Sequence, residues 1–222
     1  MNQFNSVVAT RPNADVANKV LKNTYILLSA TLAFSAVMAL VSMSLAVPPI
    51  AYIISVIASM VLGIFVLPRT ANSSTGIGVI FLVTGLLGFG LGSILSMYLA
   101  LPKGPQIIAT AMGGTGIIFL GLSAYAMTTK RDFSFMGGFL FAGMMVLVIA
   151  MLANIFLEMP ALAMAVSGGI ILVMSGFILF DTSRIINGGE TNYIMATYGL
   201  YLSIFNIFIS LLQLLGMMSN DD

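Results

Sequence analysis

The sequence predicts an all-α integral membrane protein with seven transmembrane helices. Three observations carry that prediction. Hydrophobic residues make up 59% of the chain and charged residues only 7%, where soluble domains carry roughly 25% charge. Seven segments reach the length of about 20 mostly apolar residues that a helix needs to cross the hydrocarbon core. Each break between them holds Pro, Gly, Asn or a charge, residues that stop a helix or sit at a membrane surface.

Taken in order, residues 1–24 read as a polar tail. The first span, 25–47, is too long for the core of a cleaved signal peptide, which runs about 7 to 15 residues. Pro48 and Pro49 separate it from the second span, 50–67, and Pro68 with the polar residues up to Ser74 precedes the third, 76–100. Pro102, Lys103, Gly104 and Pro105 introduce the fourth, 106–127, and the stretch from Thr128 to Asp132 introduces the fifth, 136–157. Glu158, Met159 and Pro160 lead into the sixth, 161–181, and Asn187, Gly188, Gly189 and Glu190 into the seventh, 193–216. The membrane domain is therefore expected at 25–216, with a short external tail at 217–222.

Basic residues orient these spans. With the amino terminus inside, Arg11, Lys19, Lys22, Arg69, Lys130, Arg131 and Arg184 all fall on the cytosolic side and Lys103 alone on the other. That asymmetry follows the positive-inside rule, and an odd number of spans puts the carboxyl terminus outside. A net charge of +1 offers nothing to nucleic acid.

The residue inventory excludes most chemistry. The chain has no Cys and no His, so thiolate nucleophiles, disulfides and the commonest metal ligand and proton carrier are all missing. A serine protease lacks its base and a zinc protease its ligands. An aspartyl protease needs two acids on facing spans, and only Asp181 is placed for that. No enzyme, cofactor or metal site is expected.

Two features at membrane depth remain. Small residues recur on one face of the third span (Gly85, Gly88, Gly92, Ser96) and of the sixth (Ala161, Ala165, Gly168 or Gly169, Gly176), a pattern that lets helix backbones approach where lipid supplies no hydrophobic drive. In the last span Gly199, Ser203, Asn206, Ser210 and Gln213 follow at intervals of four, three, four and three, which places them on one helix face. Such a seam must face protein or water, either as interhelical hydrogen bonds worth about 0.6 to 2 kcal/mol each or as the lining of a conduction path. Asp181 lies near the inner end of its span. It reads either as a carboxylate paired with Arg184 or as a partly buried acid whose protonation opens an inner gate. Glu158 reads as an interfacial charge.

The stretches ILFDTS at 178–183, ETNYI at 190–194 and LYLSIFNIF at 200–208 resemble the last two helices of the Bax inhibitor family, and most closely its bacterial YccA-type branch. Further stretches in register, among them KNTY at 22–25, TAN at 70–72, GGT at 113–115, SFMGG at 134–138 and ANIFL at 153–157, extend the resemblance over nearly the whole chain. It implies seven helices with the last one central and surrounded by the other six. Many family members are described as pH-sensitive calcium leak channels in which an Asp of the sixth helix and an Asp of the seventh share a proton, held by an Arg of the second. Carried over, the first acid is Asp181 and the Arg is matched by Arg69, but the second acid falls on Ser203, which cannot titrate in that range.

The YccA-type branch is associated instead with FtsH, a membrane-anchored AAA protease that its members restrain while being degraded through a cytosolic tail. The leading expectation is thus an inner-membrane, non-enzymatic modulator of an FtsH-type protease, with that protease, its associated membrane proteins and the bilayer as partners. The alternative is a cation or calcium leak gated at Asp181, with Arg69, Arg184 and Glu190 as electrostatic partners and Ser203, Asn206, Ser210 and Gln213 along the path. A small-solute transporter is a third reading, with no solute indicated.

Overall fold

The computed structural model describes residues 14–219. Arg11 and the rest of the tail before Ala14, like the final three residues of the expected external tail, lie outside the described residues. The described residues form seven long helices: α1 (Ala14–Ser44), α2 (Ile50–Thr70), α3 (Ser74–Leu99), α4 (Gly104–Thr129), α5 (Gly137–Leu157), α6 (Pro160–Ile186) and α7 (Tyr193–Ser219). All seven are long and apolar enough to cross a membrane, and no strand occurs among the described residues.

The breaks act as the sequence suggests. Pro105 sits in the first turn of α4 and Pro160 opens α6, where a missing N–H costs nothing. The α4 and α5 helices end on the left-handed residues Lys130 (φ 50°) and Glu158 (φ 49°), and the Asn154 side-chain carbonyl accepts from the Met159 N–H at 3.0 Å to secure the second of these ends. Glu158 is exposed there. Within α2 the residues Leu62–Val66 form a π turn, in which the Leu67 N–H reaches back five residues to the Leu62 carbonyl. Pro68 follows directly and cannot donate to an α-helical bond.

Three boundaries differ from expectation. The first helix begins at Ala14, so residues 14–24 are helical rather than a free tail, and Ala17, Val20 and Thr24 are buried. Their polar neighbours Lys19 and Lys22 stay exposed. A helix can continue beyond the bilayer when one face still packs, and hydropathy alone does not register that. At the other end α7 runs to Ser219, so part of the expected external tail is helical. The sixth helix also extends past Asp181 to Ile186.

Glycines bring α1 and α3 together. A side chain at Gly85 would meet the Phe34 ring at 2.6 Å, and one at Gly88 or Gly92 would collide with the Ser35 or Ala39 carbonyl. In α6, Gly169 and Gly176 likewise receive Leu147 and Leu140 of α5.

The packing departs from a last helix surrounded by six others. α7 lies along α1, α3, α4 and α6, while α5 packs along α6 at the edge of the bundle. α2 packs on α3 and meets α7 where Tyr198 lies against Gly63. α3 and α7 are the two most buried helices. The reason lies in composition: α5 exposes Phe139, Phe141, Ile149 and Phe156, side chains that lipid accommodates as well as protein does. The glycine face of α3 has value only against another helix.

Candidate functional site

The polar side chains of α7 reach two sets of neighbouring helices. A third of the way along the helix, Tyr201 is 1% exposed. Its hydroxyl shares a 2.6 Å hydrogen bond with Ser35 Oγ of α1 and donates to the Thr84 carbonyl of α3 at 3.2 Å. A buried phenol must find such partners, and here it ties α7 to the two helices joined by the glycine face.

Nearer the end of the bundle that carries Arg69, Lys130, Arg131 and Arg184, α7 meets α6 through Asp181. A side chain at Gly199 would come within 2.7 Å of Asp181 Oδ2, so the carboxylate occupies space that only a glycine leaves open. Asp181 is half-buried and forms no hydrogen bond or ion pair with another described residue. Thr197 Oγ1, half a turn away on α7, donates to the Thr24 carbonyl of α1 at 3.2 Å. The hydroxyls of Thr24 and of Thr182, the latter next to Asp181, are buried without a hydrogen-bond partner among the described residues.

Arg184 does not pair with Asp181. Its guanidinium donates to the Gly189 carbonyl at 3.0 Å, approaches Glu190 at 3.6 Å and lies 5.4 Å over the Phe180 ring. Glu190 in turn accepts from the Asn192 N–H at 2.9 Å. Arg69 is exposed at the end of α2 and forms no ion pair with a described residue. Of the four charged residues, Arg184 and Glu190 meet in the α6–α7 loop, Asp181 lies within electrostatic reach of both without bonding to either, and Arg69 forms no ion pair with a described residue.

Asn192 organises the same end. Its side-chain carbonyl accepts from the N–H groups of Ile194 and Met195 at 2.9 and 3.1 Å, capping α7, while its amide donates to the Ala71 carbonyl at 3.0 Å and to Asn72 Oδ1 at 2.8 Å. One side chain therefore starts α7 and holds the α2–α3 turn. On the opposite side Ser183 Oγ accepts from the Phe133 N–H at 2.8 Å. Asp132 accepts from the Ser134 N–H at 2.8 Å, and the Ser134 hydroxyl and N–H hold its carboxyl below the usual carboxylate range.

The remaining seam residues serve packing. Ser203 and Ser210 are buried, Asn206 donates to the Leu202 carbonyl of its own helix at 2.8 Å, and exposed Gln213 accepts from Ser167 of α6 at 3.1 Å. Ser203 lies one turn beyond the glycine that Asp181 contacts, so no second acid faces Asp181 from either position. Among the described residues no group of three His, Cys, Asp or Glu side chains could hold a metal ion. Sequence reasoning missed Asn192 and Tyr201. An Asn immediately before an apolar run signals a helix cap, and a Tyr amid apolar residues in a membrane span needs a partner for its hydroxyl.

Comparison with known proteins extends over almost the whole bundle. Residues 17–220 match the family model described as "Inhibitor of apoptosis-promoting Bax1". A protein of Escherichia coli K12 named "Modulator of FtsH protease YccA" is 52% identical over 204 residues, covering 92% of each chain. An uncharacterized membrane protein of Vibrio cholerae is 52% identical over 205 residues, again 92% of each. An uncharacterized protein of Pseudomonas aeruginosa is 45% identical over 222 residues, covering 99% of this chain and 97% of the other. With a family match spanning nearly every described residue and relatives aligned end to end, this seven-helix chain belongs to the Bax inhibitor family.

Proposed function

We propose that this chain is a non-enzymatic modulator of an FtsH-type membrane protease in the inner membrane, with its amino terminus in the cytosol and its carboxyl terminus outside. The observation that carries this reading is the 52% identity, over 92% of both chains, to the relative named as a modulator of that protease. A second E. coli relative with the same identity and coverage is named an inner membrane protein.

The mechanism rests on resistance to extraction. A processive protease pulls from an accessible end, and α1 is both its first obstacle and one of the best-anchored elements. It packs along α3 and α7, with Phe34, Ser35 and Ala39 set against glycines. Because Ala17, Val20 and Thr24 are already buried, the grip belongs before Ala14. A bundle held this way occupies the protease while it is dismantled slowly, and other substrates wait. Crosslinking in native membranes tests the partnership. The chain has no Cys, so a single Cys at exposed Lys19 supplies one reactive position. The expected product contains the protease, and products without it would remove the basis of this reading.

A second reading, a cation leak, draws on Asp181, which bonds no other described residue, and on the buried hydroxyls of Thr24 and of the adjacent Thr182, which have no hydrogen-bond partner among the described residues. Calcium flux into liposomes containing the parent chain, Asp181→Asn or Ser203→Asp across pH 5 to 8 tests it. No flux in the parent rejects it.

A further inference from the structure

At the end of the bundle opposite Arg69 and Arg184, a cavity of about 260 Å³ opens between α2, α3 and α7. Its lining includes Tyr52, Ile94, Tyr98, Ile209, Leu212 and Gln213. Tyr52 lies in the first turn of α2, Tyr98 in the last turn of α3 and Gln213 within the last two turns of α7. All three side chains are thus at one interfacial level, where amphipathic rings of this kind concentrate. The gap has a structural origin. α2 follows α3 and meets α7 far from this end, at Gly63, while Gly216 lets the Tyr98 ring lie against α7.

We infer that this cavity binds one acyl chain of a phospholipid from the adjacent leaflet, with Tyr52, Tyr98 and Gln213 hydrogen-bonding the ester region of the same lipid. The walls are mostly apolar, which does not suit water, because a buried water needs two to four polar partners. Left empty, such walls forgo dispersion contacts. The volume falls below the roughly 300 to 1,000 Å³ of sites for bulky small molecules and fits a slender chain.

The polar groups specify the other half of the ligand. The Tyr52 and Tyr98 hydroxyls bond no other described residue. Gln213 uses its carbonyl to accept from Ser167 at 3.1 Å, so its NH₂ keeps two donors for a ligand. The lining carries no charge, and neutral donors match ester carbonyls better than a phosphate or a cation.

The test uses the full chain in phosphatidylethanolamine–phosphatidylglycerol vesicles containing a phospholipid with a diazirine within its acyl chain. After photolysis, labelled positions are mapped by mass spectrometry and compared with the lipid-exposed face of α5 at Phe141 and Ile149. We expect labelling of Ile94, Ile209 and Leu212 at least several-fold above that of α5. Ile209→Phe, which fills the space, should abolish the excess. The pair Tyr98→Phe with Gln213→Leu, which keeps the bulk and removes the donors, should reduce it while α5 labelling stays constant. Lining residues labelled no more than α5, or an excess that survives Ile209→Phe, overturns the proposal.

Discussion

The carboxylate of Asp181 on α6 rests against the backbone of Gly199 on α7, with Oδ2 2.7 Å from where a Cβ would be. The position that resemblance pairs with Asp181, Ser203, is a full turn further along α7. This juxtaposition makes the acid part of the α6–α7 contact, and neither Gly199 nor Ser203 presents a second carboxylate to it.

Gly199→Ala should therefore destabilise the bundle by about 1 to 3 kcal/mol, the usual cost of overpacking. Combining it with Asp181→Ala should recover part of that loss, because contacting sites are non-additive. Thermal unfolding in detergent of the two single variants and the double variant measures the coupling. Additive effects would show that the two residues do not share this space.

Tyr201→Phe should cost on the order of 1 to 3 kcal/mol, since it strips a buried hydroxyl from Ser35 and the Thr84 carbonyl. Adding Ser35→Ala should cost less than it does in the parent chain, because Ser35 has then already lost its partner. The same unfolding series reads this out.

Asn192→Ala should cost about 1 to 2 kcal/mol through the lost cap and should speed hydrogen exchange both at the start of α7 and in the 71–73 turn. Asn192→Asp separates the two roles. It keeps the acceptor for Ile194 and Met195 but loses the donor to Ala71 and Asn72, so only the turn should exchange faster.

Arg184→Ala should loosen residues 187–192, where the guanidinium meets Gly189 and Glu190. The partly exposed ion pair itself is worth about 1 kcal/mol or less. Arg69→Ala, at an exposed position without an ion pair among the described residues, should change stability by less than about 0.5 kcal/mol.

Much of this architecture was legible in the sequence because hydropathy, Pro and Gly act locally. Pro105 and Pro160 stand in the first turns of their helices, and the glycines of α3 contact α1. The start of α1 was not legible. Lys19 and Lys22 read as tail, yet they project from a helix whose other face, Ala17, Val20 and Thr24, is buried. The edge position of α5 was also hidden, because an apolar helix reads the same whether lipid or protein surrounds it. At the candidate site Asp181 was recognisable as an unusual charge. Its contact with Gly199, and the engagement of Arg184 with the 189–190 loop instead, depend on how two helix faces rotate toward each other, which no local signal records.

As a modulator, this chain is proposed to occupy an FtsH-type protease and delay its other substrates. The direct measurement is the degradation rate of a second membrane substrate by the purified protease in proteoliposomes, with the intact chain or with residues 2–13 deleted. The intact chain is expected to slow degradation in proportion to its amount and to be consumed slowly itself. The truncated chain, which keeps buried Ala17 and Val20, should resist consumption. Unchanged degradation of the second substrate at a large excess of the intact chain would rule this role out.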